Sequence, residues 1–465
     1  MPFYPNLRIQ PNDSDYTRAK KKRVVNKLKL LRSAIQSHLR DSRRQEADYK
    51  TTRLATWNLR EFGKKNYGGR SYEALYYTAE IISHFDLIAL QEIRSDLTEF
   101  RALLRLLGPS WDFIATDVTD GRAGNDERMV FLYNRDTVQF RNIAGELTLE
   151  ENQKVKAAFG ERLLLDNGLS LQLPLGTDLS GTYSAATERS GARTRLREDL
   201  EIPVPPGSQI TLPEGTHLTL KKGTPITRPT RGKAEVELPT VITGEAYALR
   251  FAEGSFDDAF RQFARTPFLI AFRIGWLKLN LCTVHIYYGS ERGPKLDQRR
   301  AEIEMLTRAL ASKARREFAQ DRESFMGVLG DFNIVGKGHP TMEALESNDF
   351  YIPDQLKEIP GSNVARDKAY DQIAFWMPED RMANYSTLEV VGANVFDFFQ
   401  YVFTLDDEAT YRAEPSRYNH LQEDTDYTRW RTYKMSDHLP MWVEIRSDFS
   451  DAYLEYIARN NQPPT

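Results

Sequence analysis

Three polar pairs follow apolar runs that have the composition of buried strands. The pairs are Asn58 with Arg60, Glu92 with Arg94, and Asp331 with Asn333. Because residues i and i+2 of an extended chain point the same way, each pair presents two polar side chains on one side of its strand. Carboxylate and amide oxygens suit a hard divalent cation such as Mg²⁺, Mn²⁺ or Ca²⁺, and arginine suits phosphate. The spacing therefore indicates a site that handles phosphate beside a metal ion.

Two histidines occupy comparable positions in the sequence. His285 ends an apolar run, and His438 lies in the segment Ser-Asp-His-Leu-Pro just before the last predicted strand. Histidine is the side chain best suited to proton transfer near neutral pH. A single strand-end Asp is usually a turn residue, and a single strand-end His is usually a hydrogen-bonded core residue. Five such pieces, each at a strand end, favour one shared functional site.

The elements that must position these residues alternate between strand-like and helix-like stretches. The alternation runs from Thr51 to about Asn134 and resumes at Phe268, which predicts an α/β sandwich. Between these parts, seven of the 22 prolines fall in residues 203–239. This composition favours a small inserted β-rich module over residues 145–258, with a long semi-ordered excursion as the alternative.

The net charge of −3 over 465 residues conceals an uneven distribution. Residues 1–50 hold thirteen Lys and Arg against five Asp and Glu, a balance of +8, so the rest of the chain carries −11. Helical spacing of Val24, Leu28, Leu31 and Ile35 predicts a basic helical N-terminal arm. Such an arm either binds a polyanion or is simply a solvated helix, and the charge alone leaves both open.

Composition excludes several classes of protein. A hydrophobic share of 40% excludes a wholly disordered chain, and no run approaches the roughly 18 apolar residues that a membrane-spanning helix needs. The N-terminus has no apolar signal-peptide segment, and the single cysteine, Cys282, excludes an internal disulfide. We therefore expect a cytoplasmic protein. The sequence identifies neither a partner protein nor an oligomeric state.

The motifs, taken in order, resemble the endonuclease/exonuclease/phosphatase superfamily, and most of all its deoxyribonuclease I-like branch. They are Thr-Trp-Asn58-Leu-Arg60, Gln-Glu92-Ile-Arg94, Glu127-Arg128, Val-His285, Gly-Asp331-Phe-Asn333, Tyr-Asp371-Gln-Ile and Ser-Asp437-His438-Leu-Pro. The resemblance covers about residues 51–135 and 262–447. It implies a four-layer α/β/β/α sandwich with the site at one edge of two packed sheets. We accordingly expect an arm over 1–50, a split catalytic domain over 51–144 and 259–447, the β-rich insertion over 145–258, and a tail over 448–465.

The resemblance also implies a role for each site residue. Glu92 would be the principal metal ligand, with Asn58, Asp331, Asn333 and Asp437 completing the metal and phosphate site. His285 and His438 would flank the scissile phosphate, oriented by Glu127 and Asp371 respectively. Asn58, Arg60, Arg94 and Arg265 would contact substrate phosphates. Where the deoxyribonuclease I-like branch has an aromatic residue against the DNA minor groove, this chain has Asn125.

These roles agree with the chemistry of phosphodiester hydrolysis, which adds charge to an anionic phosphoryl group and needs both a base and an acid. We expect a Mg²⁺-dependent phosphodiester hydrolase (with Mn²⁺ or Ca²⁺ as alternatives) that acts on nucleic acid, foremost a DNA endonuclease with little sequence specificity. Either histidine could be the base. The alternative is a phosphatase or phosphodiesterase acting on a phosphoinositide, a phospholipid or another small phosphate ester. An inactive binding module is disfavoured because both histidines and every carboxylate of the motif set are present.

Overall fold

The structure is a computed structural model. It describes residues 2–43, 50–118, 126–147, 263, 265–288, 290–291, 294–321, 323–377, 388–415 and 419–460, together with separate strands between residues 159 and 238.

The helices and strands are numbered in chain order. The helices are α1 Asp15–Asp41, α2 Tyr72–Ile82, α3 Thr98–Leu107, α4 Pro294–Gln320, α5 Pro340–Leu345, α6 Asp354–Glu358, α7 Glu408–Arg412, α8 Tyr427–Lys434 and α9 Ser450–Asn460. The strands up to residue 146 are β1 Thr51–Phe62, β2 Leu87–Arg94, β3 Trp111–Ala115, β4 Glu127–Asn134 and β5 Gln139–Glu146. Those that follow are β6 Phe159–Leu165, β7 Ser170–Pro174, β8 Thr187–Ser190, β9 Arg193–Leu196, β10 Leu200–Pro203, β11 His217–Leu220, β12 Pro225–Ile226 and β13 Glu235–Leu238. The remaining strands are β14 Phe268–Ile274, β15 Leu277–His285, β16 Ser324–Asp331, β17 Phe350–Tyr351, β18 Asp371–Trp376, β19 Val390–Val395 and β20 Met441–Arg446.

Two six-stranded mixed sheets form the centre of the fold. The first sheet has the order β19-β20-β1-β2-β4-β3, and the second has the order β17-β18-β16-β15-β14-β5. In each sheet one parallel pair, β1 with β2 and β15 with β16, is flanked by antiparallel neighbours. Every residue of β16 is buried, which fits a strand covered on both faces.

The two sheets pack face to face, and helices cover their outer sides. Phe131 of the first sheet meets Phe272 of the second at 5.6 Å between ring centroids. Phe100 of α3 packs on Phe113 of the first sheet, and Phe318 of α4 packs on Trp376 of the second sheet. Each sheet therefore buries one face against the other sheet and one against helices. The predicted four-layer α/β/β/α sandwich is confirmed.

Helix α1 belongs to the sandwich rather than standing apart from it. The four apolar residues of its predicted stripe, together with Leu39, are buried. Its cations pair with carboxylates of the sandwich: Lys20 with Glu414, Arg23 with Glu73, Lys27 with Asp407, and Arg32 with Glu80, at 2.6–2.8 Å. Much of the positive charge of the arm is therefore neutralised within the protein.

The described chain divides into two compact units. One comprises residues 1–148, 264–287 and 307–465, and the other comprises 149–263 and 288–306. Strands β6–β13 fall in the second unit and form three small sheets, with orders β10-β11, β12-β9-β8 and β13-β6-β7. The predicted domain boundaries stay a prediction. Among the described helices, none combines the length and the apolar character needed to cross a membrane.

Candidate active site

Polar residues at the strand ends of both sheets meet at one edge of the sandwich. In the second sheet, the register places His285 beside Asp331, and Asp331 beside Asp371. The first sheet contributes Asn58 from β1 and Glu92 from β2, together with Glu127, the first residue of β4. The strand ends that the sequence singled out are therefore brought together.

Asn58 joins the two sheets at this edge. Its Nδ2 donates to Glu92 Oε1 at 3.0 Å and to Asp331 Oδ2 at 2.9 Å, and the residue is fully buried. Its Oδ1 accepts the backbone N–H of Arg60 at 2.8 Å. The amide nitrogen therefore faces the carboxylates, and the amide oxygen is already occupied.

Glu92 lies where the strand pairing is irregular. The register of β2 with β4 shifts between Leu90 and Ile93, and Glu92 has a left-handed φ of 61°. Such irregularities re-aim side chains and are common beside functional sites. The backbone N–H of Glu61 donates to Glu92 Oε2 at 2.7 Å. Burial alone would raise the pKa of Glu92, but the His285 imidazole and these hydrogen bonds outweigh it and lower the pKa to about 2. Glu92 is therefore ionised at neutral pH.

His285 is held by Glu127, and Glu127 is in turn held by Arg265. His285 Nδ1 lies 2.5 Å from Glu127 Oε1, and Arg265 Nε lies 2.6 Å from the same oxygen. Arg265 Nη1 also donates to the backbone carbonyl of His285 at 3.2 Å. Burial would lower the pKa of His285, but the Glu127 carboxylate outweighs burial, so the pKa is raised.

His438 is held in the same way by Asp371. His438 Nδ1 lies 2.8 Å from Asp371 Oδ2, and the Ser362 hydroxyl donates to that oxygen at 2.7 Å. Burial again opposes protonation, but the carboxylates of Asp371 and Asp331 hold the pKa of His438 well above its ordinary value. Sequence analysis missed Ser362, and the motif set carries no signal for it.

The two imidazoles converge on a single carboxylate oxygen. Nε2 of His285 lies 3.6 Å from Asp331 Oδ2, and Nε2 of His438 lies 3.7 Å from it. Each imidazole is paired across the two sheets: His285 of the second sheet with Glu127 of the first, and His438, just before β20 of the first sheet, with Asp371 of the second. Both Nε2 atoms are thus directed to one point between the sheets.

The predicted phosphate-binding arginines occupy two different environments. Arg60 lies 3.3 Å from Asp437, whose side chain is 43% exposed, and stacks at 4.0 Å on the Tyr433 ring. Arg94 lies 3.2 Å from Glu61 at the same edge. Arg265, in contrast, is only 6% exposed and is occupied with Glu127 and His285. Arg60 and Arg94 are placed at the rim of the site, and Arg265 behind it.

Asn333 is placed by its own strand end. Its backbone N–H donates to Asp331 Oδ1 at 2.9 Å, and its Nδ2 donates to the carbonyl of Ile286 at 2.7 Å. Its φ of 52° is left-handed, a conformation that asparagine tolerates better than most residues. Asn125, which stands where the resemblance leads one to expect an aromatic residue, lies outside the described residues.

The donor set at this edge fits a hard divalent cation. Two groups of carboxylate and imidazole atoms each converge within 4.8 Å; they are Glu92, Glu127 and His285, and Asp331, Asp371 and His438. Glu92 and Asp331, bridged by the Asn58 amide, supply carboxylate oxygens from both groups. Oxygen-rich sites of this kind suit Mg²⁺, Mn²⁺ or Ca²⁺.

Comparisons with known proteins found no matching family model and no matching curated protein. Among solved structures, the chain is similar to humanized D. rerio TDP2, with a TM-score of 0.39 and 11% identity over 85% of this chain and 98% of that one. It is similar to an endonuclease/exonuclease/phosphatase family protein from Bacteroides thetaiotaomicron, with a TM-score of 0.39 and 11% identity over 86% of this chain and 99% of that one. For the human Nocturnin catalytic domain the TM-score is 0.38, with 11% identity over 85% of this chain and 93% of that one. These similarities say nothing about substrate or reaction, which must be inferred from the site itself.

Proposed function

We propose that this protein is a divalent-metal-dependent phosphodiester hydrolase of the endonuclease/exonuclease/phosphatase type. Its proposed substrate is nucleic acid, foremost DNA, cleaved with little sequence specificity. The observation that supports this most strongly is the pair of imidazoles, each backed by a buried carboxylate, whose Nε2 atoms lie 3.6 and 3.7 Å from one Asp331 oxygen. Such an arrangement can hold two protons beside a phosphoryl group.

In this proposal the two imidazoles share the acid and base work. Glu127 and Asp371 contact the Nδ1 atoms, so the Nε2 atom of each ring faces the site. One ring, neutral before the reaction, accepts at its Nε2 a proton from the attacking water, and the other ring, protonated, donates its Nε2 proton to the departing oxygen. Either histidine can fill either role. A protonated imidazole also stabilises the charge that develops on the phosphoryl oxygens.

Glu92 and Asp331, with Asp437 and Asn333 close by, would hold Mg²⁺, or Mn²⁺ or Ca²⁺ in its place. When bound, the ion supplies positive charge that offsets the charge developing on the phosphoryl group. Asn58 holds the two carboxylates in register through its Nδ2, which is a positioning role in this conformation of the amide. Arg60 and Arg94 contact the flanking phosphates of the substrate from the rim.

A plasmid-nicking assay at low salt tests the proposal. We expect nicking with Mg²⁺, none with EDTA, and a loss of about 10²-fold or more in rate for His285→Ala. His420→Asn is the matched control, because His420 is exposed and has a left-handed φ that asparagine tolerates. Absence of Mg²⁺-dependent nicking, or a His285→Ala variant as active as the control, would refute the proposal.

A small or lipid phosphate ester is the second candidate substrate, and one observation favours it. Lys27 and Arg32 of α1 are paired with carboxylates, and Arg60 and Arg94 have carboxylate neighbours as well. Free positive charge for attracting a polyanion is correspondingly reduced. A phosphate-release screen over phosphoinositides, phospholipids and sugar phosphates separates the two candidates. Turnover on one of these with no nicking of DNA would select the second.

A further inference from the structure

A cavity of about 730 Å³ lies in the sandwich unit and is lined by none of the predicted site residues. Its walls come from the N-terminal turns of α1 and α2, the loop that precedes α2, and the end of α8. Three cations, Lys20, Arg70 and Lys434, line it. The cavity is therefore lined by a concentration of positive charge to which the proposed hydrolysis gives no role.

Lys434 is the clearest sign that the cavity is built for an anion. It is 2% exposed, and its ammonium donates to the carbonyls of Tyr67 at 2.8 Å and Gly69 at 2.7 Å. Among the described residues no carboxylate forms an ion pair with it, and the carboxylate charge that acts on it is that of Glu99. A buried charge held only by neutral groups is costly, and a nearby opposite charge would relieve that cost. Burial, followed by the charge of Arg70, lowers the pKa of Lys434 to about 8, so most of it stays protonated at neutral pH.

Arg70 adds a second buried cation to the same wall. Its side chain is 2% exposed, and its closest described carboxylate, Glu99, is 3.8 Å away. Its Nη2 donates to the carbonyls of Leu59, Arg60 and Met435, whereas its buried Nε–H has no hydrogen-bond partner among the described residues. Arg70 therefore contributes charge to this wall, while its Nη2 is already engaged with backbone carbonyls.

The carboxylate that lines the cavity does not neutralise these cations. Glu73 Oε2 is paired with Arg23 at 2.8 Å, and its Oε1 accepts hydroxyls of Tyr77 at 2.9 Å and Tyr411 at 2.7 Å. Lys20, in turn, shares Glu414 with Arg23. Lys20 and Arg70 thus have carboxylate neighbours, Glu414 and Glu99, and Lys434 is the lining cation with none within 4.0 Å among the described residues.

We propose that this cavity is a phosphate-binding site separate from the hydrolytic edge, and that it takes a phosphate monoester joined to an aromatic base. Lys20, Arg70 and Lys434 would surround the phosphate. Tyr72, which is 57% exposed, and Tyr16 line the same cavity and offer rings on which a base can stack. The phosphate could belong to a free nucleotide or to the 5′ end of a nucleic acid strand.

Calorimetric titration of the full chain in EDTA tests this, with inorganic phosphate, adenosine 5′-monophosphate, adenosine and a 5′-phosphorylated tetranucleotide as probes. We expect the monophosphate to bind more tightly than inorganic phosphate, and adenosine not to bind. Tighter binding of the tetranucleotide would identify a strand end, and tighter binding of the monophosphate a free nucleotide. Lys20→Met and Lys434→Met should each weaken phosphate binding about tenfold or more, since each removes a charged donor.

Lys29→Met is the matched control, because Lys29 is an exposed lysine on the same helix as Lys20. It should bind as the unchanged protein does. If Lys434→Met fails to fold, Lys20→Met tests whether the lysine charge contributes to phosphate binding, and Tyr72→Ala tests whether the base stacks on this ring. Unchanged phosphate binding in a folded Lys20→Met variant would overturn the proposal, whether or not the protein hydrolyses phosphodiesters.

Discussion

At the scale of single residues, the protonation of two buried histidines depends on the carboxylates that contact them. Both His285 and His438 are buried, and burial by itself would leave each ring neutral. Glu127 and Asp371 reverse that preference. In the proposed mechanism, the protonation states of the two rings are therefore set by carboxylates that contact the Nδ1 atoms rather than the substrate.

Replacing Asp371 by Asn tests how far the protonation of His438 depends on Asp371. The pKa of His438 should fall, because burial remains while the largest opposing charge is gone. Hydrolysis should slow about 10²- to 10⁴-fold. A raised folded pKa stabilises the protein fully below the ordinary value near 6.5 and ceases to do so as the pH rises through the raised value. The loss of stability in Asp371→Asn should therefore be largest at acid pH and should shrink as the pH rises.

Histidine NMR titration and unfolding at several pH values provide these measurements, with Asp424→Asn as the exposed control. An unchanged titration of His438 together with an unchanged rate would contradict the assigned role.

We expect different kinetic effects from substitutions of Arg265 and Arg60, although the motif resemblance implies that both bind substrate phosphate. Arg265 is engaged with Glu127 and His285, so Arg265→Gln should lower kcat about a hundredfold through misplacement of the imidazole, with KM little changed. Arg60→Gln should instead raise KM. Steady-state kinetics on one substrate compare the two directly. A raised KM with normal kcat for Arg265→Gln would instead show that Arg265 binds the substrate phosphate.

At the scale of elements, the apolar patterns of the sequence predicted more of the structure than the polar patterns did. The apolar run that His285 ends forms the strand β15, Leu277–His285, and the stripe of α1 is buried as predicted. The charge pairing of α1 could not be predicted, because Lys20 and Arg32 meet carboxylates that are 394 and 48 residues away in the chain.

The rule that residues i and i+2 share a side also has a limit at the site. The pairing of β1 with β2 shifts between Asn58 and Phe62, and Arg60 and Glu92 have left-handed φ values. Side-chain direction there depends on these irregularities, which composition and spacing do not encode. The sequence therefore predicted which residues gather at the edge, but not which atoms of them face one another.

Two adjacent leucines test whether α1 stabilises the sandwich. Leu31 is fully buried and Leu30 is 49% exposed on the same helix. Leu31→Ala should lower the free energy of unfolding by about 2–5 kcal/mol, whereas Leu30→Ala should change it by no more than about 0.5 kcal/mol. Urea unfolding followed by circular dichroism measures both. Equal, small effects would show that α1 contributes little to the stability of the fold.

At the scale of the whole molecule, the pairing of charges decides how salt should affect nucleic acid binding. Each phosphate contact contributes about 0.9 to the slope of log K against log salt for duplex DNA. Arg60→Gln should therefore reduce the slope by about 1, while Lys27→Gln should leave it unchanged because Lys27 is paired with Asp407. Binding isotherms at several salt concentrations give both slopes. A reduced slope for Lys27→Gln would mean that α1 contacts the nucleic acid.

The pairing of each imidazole across the two sheets has a consequence for partly folded states. Neither sheet alone holds a complete histidine–carboxylate pair, since Glu127 and His438 come with one sheet and His285 and Asp371 with the other. A molten state that keeps its strands hydrogen-bonded, but in which the sheets have parted, would retain its far-ultraviolet signal and have no catalytic power. A protein in this state would be unable to carry out the proposed hydrolysis until the two sheets had packed together again.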